Sequence, residues 1–542
     1  MPTKRLFFLL LLLITKLGNA QTVWENPKNE VISYLQRQAQ KGNIELQDYI
    51  QPISRNEIGL LLRELKEKPL STIEKKELDF YLKDFNEFDS LSVQEIKILK
   101  RDHYGRLRFL TVNKDDYILR GDPIITFDFI QSPVKSIYKQ STGVSFYGYA
   151  GKHFGVQMSF REINEYGSGL DSLKDFTPET GIIKTKSSNP MAKAINYTEL
   201  EGYLSYSFKN GQISIGKDQN LFGYGENGRI ISSSKAPAYP LIRFDFHPLK
   251  WFRFNYSHAW LQSGIIDSVE TYTKGNDIYG AQRNIYREKF IVSHSFNFIP
   301  VKNLVLSLGE SMVYSDKLDF AYFIPILFFK SYDQYKSRND VLAGSNGQFF
   351  FQASSRNHLK NTHLYGTIFI DEIRLSEIFN SAKSRNQLGF NFGGSVTDLF
   401  IPYLTFGGEY TRINPFVYKN FIPSQTYENQ NYSLGDWMGN NADRLIAYVK
   451  YTPIPKLKTE LYFQNVRKGD EGTLGQQYFA VPQPPFLFNL QRQQTTLSFS
   501  MAYELMNNLY FNTKISNIVD KEYKNNTENK YSQFQFSIRY GL

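Results

Sequence analysis

The chain contains no cysteine. Disulfide staples, thiol catalysis and attachment of lipid to an N-terminal cysteine are thereby excluded. Long apolar runs are almost as scarce. Beyond the first residues, nothing approaches the roughly 18 uninterrupted apolar residues that a membrane-crossing helix needs, and mean hydropathy is −0.41. Histidine occurs seven times with no pair at metal-ligand spacing, so a metal centre has little to be built from. No motif calls for a cofactor. The formal charge is +10, but the excess is spread along the chain without a basic block, and nucleic-acid binding has no motif behind it.

The N-terminus reads as a secretion signal. Lys4 and Arg5 precede the apolar run Leu6 to Ile14, and Gly18-Asn19-Ala20 places small residues where a signal peptidase cuts. The run is too short to cross a hydrocarbon core about 30 Å thick as a helix. Residues 1–20 are therefore expected to be cleaved, with Gln21 first in the mature chain and a remaining charge of +7, since Lys4, Arg5 and Lys16 leave with no acid.

What the chain does have is aromatic residues: 16% of the total, with 37 Tyr and 44 Phe. At the C-terminus Phe534, Phe536, Ile538, Tyr540 and Leu542 alternate with Gln533, Gln535, Ser537 and Arg539. An apolar face against a polar one, running to the last residue, is how an outer-membrane barrel closes, with lipid on one side and a wet lumen on the other. A half-buried sandwich strand shows the same pattern, so recurrence decides. Phe252, Phe254, Tyr256, His258 and Trp260 alternate with Arg253, Asn255 and Ser257; Leu457, Leu461 and Phe463 oppose Lys458, Glu460 and Gln464; Leu304, Leu306 and Leu308 continue the period, which would leave Glu310 on the lipid side unless a bulge near Gly309 or emergence from the membrane intervenes. His258 and His294 read as interfacial girdle residues.

Short turns at His247–Lys250, Ile299–Lys302 and Pro453–Lys456 contrast with polar stretches at about 164–197, 263–287, 331–361 and 420–444. The short side is expected to be periplasmic and the long side extracellular. Roughly 420 residues at about 20 to 25 per strand give about 16 to 20 antiparallel strands, an even number. Residues 119–542 are the predicted barrel. Residues 21–118 form a predicted helical periplasmic plug region, with a helical period between about 27 and 100: Val31, Ile32, Leu35 and Ala39 on one stripe ended by Gly42, then capping boxes Ser54/Glu57 and Ser71/Glu74.

Several segments carry a resemblance. Gly216-Lys217-Asp218-Gln219-Asn220-Leu221-Phe222-Gly223-Tyr224-Gly225, Leu364 to Glu372, Gly408-Glu409-Tyr410-Thr411-Arg412 with Pro415 and Tyr418, and Ser433-Leu434-Gly435 with Asp443-Arg444-Leu445 resemble, in order, motifs of the Wzi capsule-assembly family. Gly42-Asn43-Ile44 and Pro52-Ile53-Ser54-Arg55 are similar to that family's helical region. The resemblance implies an all-β transmembrane barrel of about 18 strands, closed toward the periplasm by its N-terminal helices, that binds, anchors or organises capsular or extracellular polysaccharide at the surface. Its expected partners are that polysaccharide and outer-membrane lipid, and the barrel is expected to be a monomer.

Sugar recognition needs aromatic faces together with amide, hydroxyl and charged groups. The candidates for polysaccharide contact or lumen lining are Asp218, Gln219, Phe222, Tyr224, Arg229, Arg243, Asp371, Glu409, Arg412 and Arg444. Parity places Asp218, Asp371 and Glu409 on the lumen side, where Arg243, Arg253, Arg412 and Arg444 are expected to meet them, and a charge network fixing barrel shape is the plainer role. Asp371-Glu372 cannot serve as a hydrolytic pair without a bulge, because adjacent strand residues face opposite ways. The competing readings are a transport barrel for small solutes or oligosaccharides and, third, an outer-membrane hydrolase.

Overall fold

The computed structural model describes residues 21–87, 93–133, 135–183, 194–273, 282–340, 344–372, 380 and 386–541. The signal reading of residues 1–20 and the terminal Leu542 lie outside them. Alternation becomes wall. Eighteen antiparallel strands, from Tyr117–Gln131 to Thr527–Tyr540, follow one another in chain order and close when the last pairs with the first, Tyr540 opposite Ile125 and Phe534 opposite Gln131. Phe154, Val156, Met158 and Phe160 are exposed on the outside of one strand, while Gln157 between them reaches the lumen and accepts the Trp24 amide.

The short turns fall where the proline-containing segments predict them. Two of the polar stretches do not behave as whole loops. Strands run on to Thr273 and restart at Gln282. Within 331–361 the wall strand Asn346–Arg356 crosses, and the turn after it belongs to the short-turn end. Three consecutive phenylalanines, Phe349 to Phe351, blur the period there, whereas buried Gln348, Gln352 and Ser354 show which side is lumen.

The helical region is a plug seated at the short-turn end. It contains α1 (Glu30–Gln40), α2 (Arg55–Leu65) and α3 (Thr72–Leu82). Asn29 caps α1, and Gly42 follows at φ +78°, a conformation that suits glycine. Ser71 and Glu74 form a complete capping box. The Ser54 box is half made: Ser54 accepts the Glu57 amide at 3.2 Å, but the Glu57 side chain turns instead to wall residue Arg253 at 3.4 Å. Val31, Leu35, Ala39, Ile58, Leu62 and Leu65 make a small core of their own. The helical period does not extend to residue 100. Glu95–Arg101 is a strand paired with Leu107–Lys114, which in turn lines the lower edge of the first wall strand; Ile96 and Ile98 were the period-two signal.

Charge fastens plug to wall. Arg356 holds buried Asp48 at 2.8 and 2.9 Å, Tyr403 donates to Glu77 at 2.7 Å, and Arg37 bridges Glu74 and the wall turn's Asp398. Arg55, Arg106 and Arg108 knot with Glu25, Asp84, Glu87, Asp102 and Asp122 where the chain passes from plug to barrel. Arg356, Asp48 and the members of this knot are buried beside their partners, so removing one member leaves an uncompensated charge.

Outside the wall lies a feature that periodicity does not announce. The segment after the strand Leu304–Ser315 folds back over the barrel's outer face as a strap, a 3-10 turn at Phe320–Phe323 followed by α4 (Phe329–Asp340). It covers Phe254, Tyr256, Phe290, Val292, Met312 and Tyr314. Glu310 faces outward in unbroken register with its neighbours; neither a bulge nor emergence from the membrane removes it from the lipid side. Its carboxylate instead accepts the first amides of α4, from Phe329 at 2.6 Å and Lys330 at 3.4 Å. His294 and His258 are likewise not girdle residues. The His294 ring donates to the Pro325 carbonyl at 2.8 Å, His258 stacks on Phe323 at 4.3 Å, and Tyr256 donates to the Tyr322 carbonyl at 2.9 Å. Irregular backbone at bilayer depth must have its polar groups satisfied by protein, and these outward-facing polar side chains satisfy them.

Two outcomes follow for variants. Glu310→Ala leaves the α4 amides without an acceptor, at about 1 to 2 kcal/mol for a partly buried cap; amide exchange across 316–340 rises roughly tenfold or more while the wall strands stay protected. In the plug, burial raises the Glu74 carboxyl, but the Lys41 ammonium, the Ser71 amide and the Arg37 guanidinium outweigh it and hold the group at about 2, below the ~4.3 of a free glutamate. A carboxyl lowered by folding stabilises fully above its unfolded value and loses that contribution as pH falls through the folded one. The protection of α1 and α3 amides, taken against their intrinsic exchange rate at each pH, therefore falls as pH drops from ~4.3 toward 2, and Glu74→Gln lowers it at neutral pH and abolishes that step.

Candidate functional site

After Asp218 the chain leaves the wall and turns into the lumen. Gln219 holds the turn by donating to the carbonyls of Ala236 at 2.6 Å and Ser234 at 3.1 Å. Leu221–Phe222 then pairs with Ile50–Gln51 of the plug, and Phe222 packs on Phe350 with ring centroids 4.9 Å apart. Tyr224 is buried. Its hydroxyl donates to Asp48 at 2.8 Å, the carboxylate that Arg356 also holds, and its ring lies 5.1 Å from His363. Phe222 and Tyr224 are thus the joint between glycine loop, plug and wall.

A second loop, residues 414–441, folds in from the long-loop end and braces the first. Tyr418 and Tyr427 donate to the carbonyls of Ile230 at 2.6 Å and Ile231 at 2.8 Å, and the Trp437 indole donates to the Asn227 carbonyl at 2.6 Å. Their anchor is Arg444, fully buried, which donates to both oxygens of Asp436 at 3.0 and 2.9 Å and approaches Glu409 at 3.4 Å. Glu409 also accepts from the Tyr365 hydroxyl at 2.6 Å and the Glu226 amide at 2.9 Å. Gly228 passes so close that a Cβ there would meet Asp436 Oδ2 at 2.3 Å, at φ +143°; only glycine allows the approach.

The remaining candidates separate. Arg243 pairs with Asp245 at 2.8 Å, stacks on Trp24 at 3.9 Å and donates to the Pro52 carbonyl at 3.1 Å, serving the plug. Asp371 accepts from the Tyr418 amide at 2.6 Å and from Gln348 at 3.3 Å. A register shift does occur between Ile370 and Glu372, yet Glu372 meets Gln387 at 3.3 Å rather than turning with Asp371 toward a shared point. Arg253 meets Glu57 of the plug. Arg412 does not join the lumen acids. It stands opposite Phe390 in the register and lies over Phe486 at 3.9 Å; three residues beyond Glu409 on a regular strand is the opposite face. Among the described residues no group of three His, Asp or Glu is placed to hold a metal ion.

What this bracing leaves is a chamber of about 430 Å³ between the plug's first residues, the glycine loop and the wall around 157–218, bordered by Trp437 and the segment 178–183. Asp218, Gln219 and Arg229 line it, as do Lys28, Glu201 and Asn227. Arg229 is half-buried, which lowers its guanidinium to about 10; it donates to Gln51 at 3.0 Å. Asp436, Trp437, Asp48 and Lys28 were not among the sequence candidates, because they lie in aperiodic segments where nothing in the local pattern distinguishes them.

Among solved structures, Wzi of Escherichia coli, described as an outer membrane protein involved in group 1 capsule assembly and a carbohydrate-binding β-barrel, superposes with a TM-score of 0.58 at 13% identity, covering 96% of this chain and all of that one. OccAB2 of Acinetobacter baumannii and OccK8 (OprE) of Pseudomonas aeruginosa give TM-scores of 0.43 and 0.42 at 9% and 11% identity, each over 78% of this chain and 97% and 98% of theirs. No curated protein matches in sequence. Residues 138–532, from the second wall strand into the last, match the family described as capsule assembly protein Wzi, and the chain belongs to that family.

Proposed function

We propose that the protein binds capsular or extracellular polysaccharide and holds it at the cell surface, with the helical region closing the barrel on the periplasmic side. The observation that carries this reading is the filled lumen. A plug seated through Asp48, Glu74 and Glu77, and two inward loops locked by Arg444, have no use in a diffusion pore, whereas a surface anchor needs rigid, fixed ligand-facing loops. The description of E. coli Wzi as carbohydrate-binding supports it. So does the chemistry of the long-loop end, where Phe421 and Phe479 are 58% and 78% exposed beside Tyr478 and supply faces for sugar C–H surfaces. The proposed action is binding, and the carboxyl pair weighed for hydrolysis supports it, since Asp371 and Glu372 are engaged with separate partners.

The test compares surface-bound with shed polysaccharide in cells with and without the protein, total synthesis being unchanged. Loss of the protein shifts polysaccharide from bound to shed, and the purified barrel in planar bilayers shows no steady open-pore current. An unchanged partition together with a stable pore current would favour transport.

A further inference from the structure

The internal chamber has an electrostatic asymmetry that its bracing role does not require. Most lumen cations of the molecule are matched: Arg444 by Asp436 and Glu409, Arg356 by Asp48, Arg243 by Asp245, Arg161 by Glu199. Arg229 is not. Among the described residues it makes no ion pair, its hydrogen bond goes to the neutral Gln51 amide, and nearby Asp48 is taken by Arg356 and Tyr224. Lys28, at the chamber's plug side, is exposed and likewise without an ion pair among the described residues. In the same lining Glu201 and Asp218 present carboxyls from the wall; Asp218 accepts the next amide in the chain at 2.7 Å, and neither makes an ion pair among the described residues. A guanidinium offers a bidentate fork to a carboxylate, and carboxylates accept hydroxyl hydrogen bonds. The volume, about 430 Å³, is within the usual range for a ligand pocket.

Resting on the polysaccharide reading above, we propose that this chamber is a binding site for a short acidic saccharide segment, a uronate whose carboxylate meets Arg229 while the hydroxyls of adjoining sugars donate to Glu201 and Asp218. The site lies inside the barrel, apart from the exposed loops, so the polysaccharide is held by segments taken into the lumen as well as by surface contacts.

The full mature chain in lipid nanodiscs is titrated calorimetrically with glucuronate- and galacturonate-containing tetrasaccharides and with a neutral glucose tetrasaccharide. At least one acidic probe binds about tenfold or more tightly than the neutral one, as expected for a charge-assisted contact, and salt weakens it. Arg229→Gln lowers that affinity by about tenfold or more, Arg229→Lys keeps the charge but not the bidentate fork and so recovers only part of the affinity, and Arg412→Gln on the outer wall changes nothing. The Lys variant also separates loss of charge from loosening of the contact with Gln51. The inference is overturned if no acidic probe outbinds the neutral one, or if folded Arg229→Gln binds as tightly as the wild type. In cells the two readings part: deletion of the protein without release of polysaccharide overturns surface anchoring, whereas release on deletion but full retention by Arg229→Gln overturns only the chamber.

Discussion

A ring of eighteen strands encloses more space than its own side chains can fill. The rest of the molecule answers that one constraint. The N-terminal helices enter from the short-turn end, the glycine loop crosses to meet them at Ile50 and Gln51, and the loop 414–441 descends from the other side onto Arg444. Tyr224 ties the lower joint to Asp48 and Arg356; Trp437 and the tyrosines at 418 and 427 tie the upper one to the backbone of residues 227–231. Because these contacts are buried and partly ionic, each is weak evidence for added stability but strong evidence for a single arrangement, since a lone unmatched charge in such a place is expensive. The chamber is the part of the lumen that this bracing leaves unfilled.

The outer wall obeys a complementary constraint. Lipid cannot satisfy polar backbone, so a strap lying on the wall must bring its own partners or find them there. It finds Glu310, His294 and Tyr256. The attraction is packing and hydrogen bonding more than hydrophobic burial, because lipid tails are as apolar as the side chains that displace them. The outward faces of Phe320, Ile324, Ile326 and Phe328 remain exposed and restore an apolar surface over the polar row beneath.

Fold was legible where the physics is periodic. The alternation from residue 252 to 260 and from 457 to 464, the capping residues Ser54 and Ser71, and the proline turns each report a local preference that the tertiary structure keeps. The site was legible only in part. Parity puts Glu409 on the lumen side, and of the four arginines expected to meet the lumen acids Arg444 does reach it; the same parity, counted with care, puts Arg412 outside. Glu310, His258 and His294 were misread because the residues that cover them come from a strap that follows its own rules, aromatic but aperiodic. Tyr224 looked like a ligand contact by composition; its role as a joint depends on Asp48, far away in sequence, and no local pattern encodes that distance.

The most direct measurement asks whether the purified barrel, reconstituted in nanodiscs, captures polysaccharide isolated from the cells that make it. Saturable binding that survives washing, with the plug still protected from amide exchange, is the result this account predicts. A folded, plugged barrel that leaves the polysaccharide in solution would contradict it.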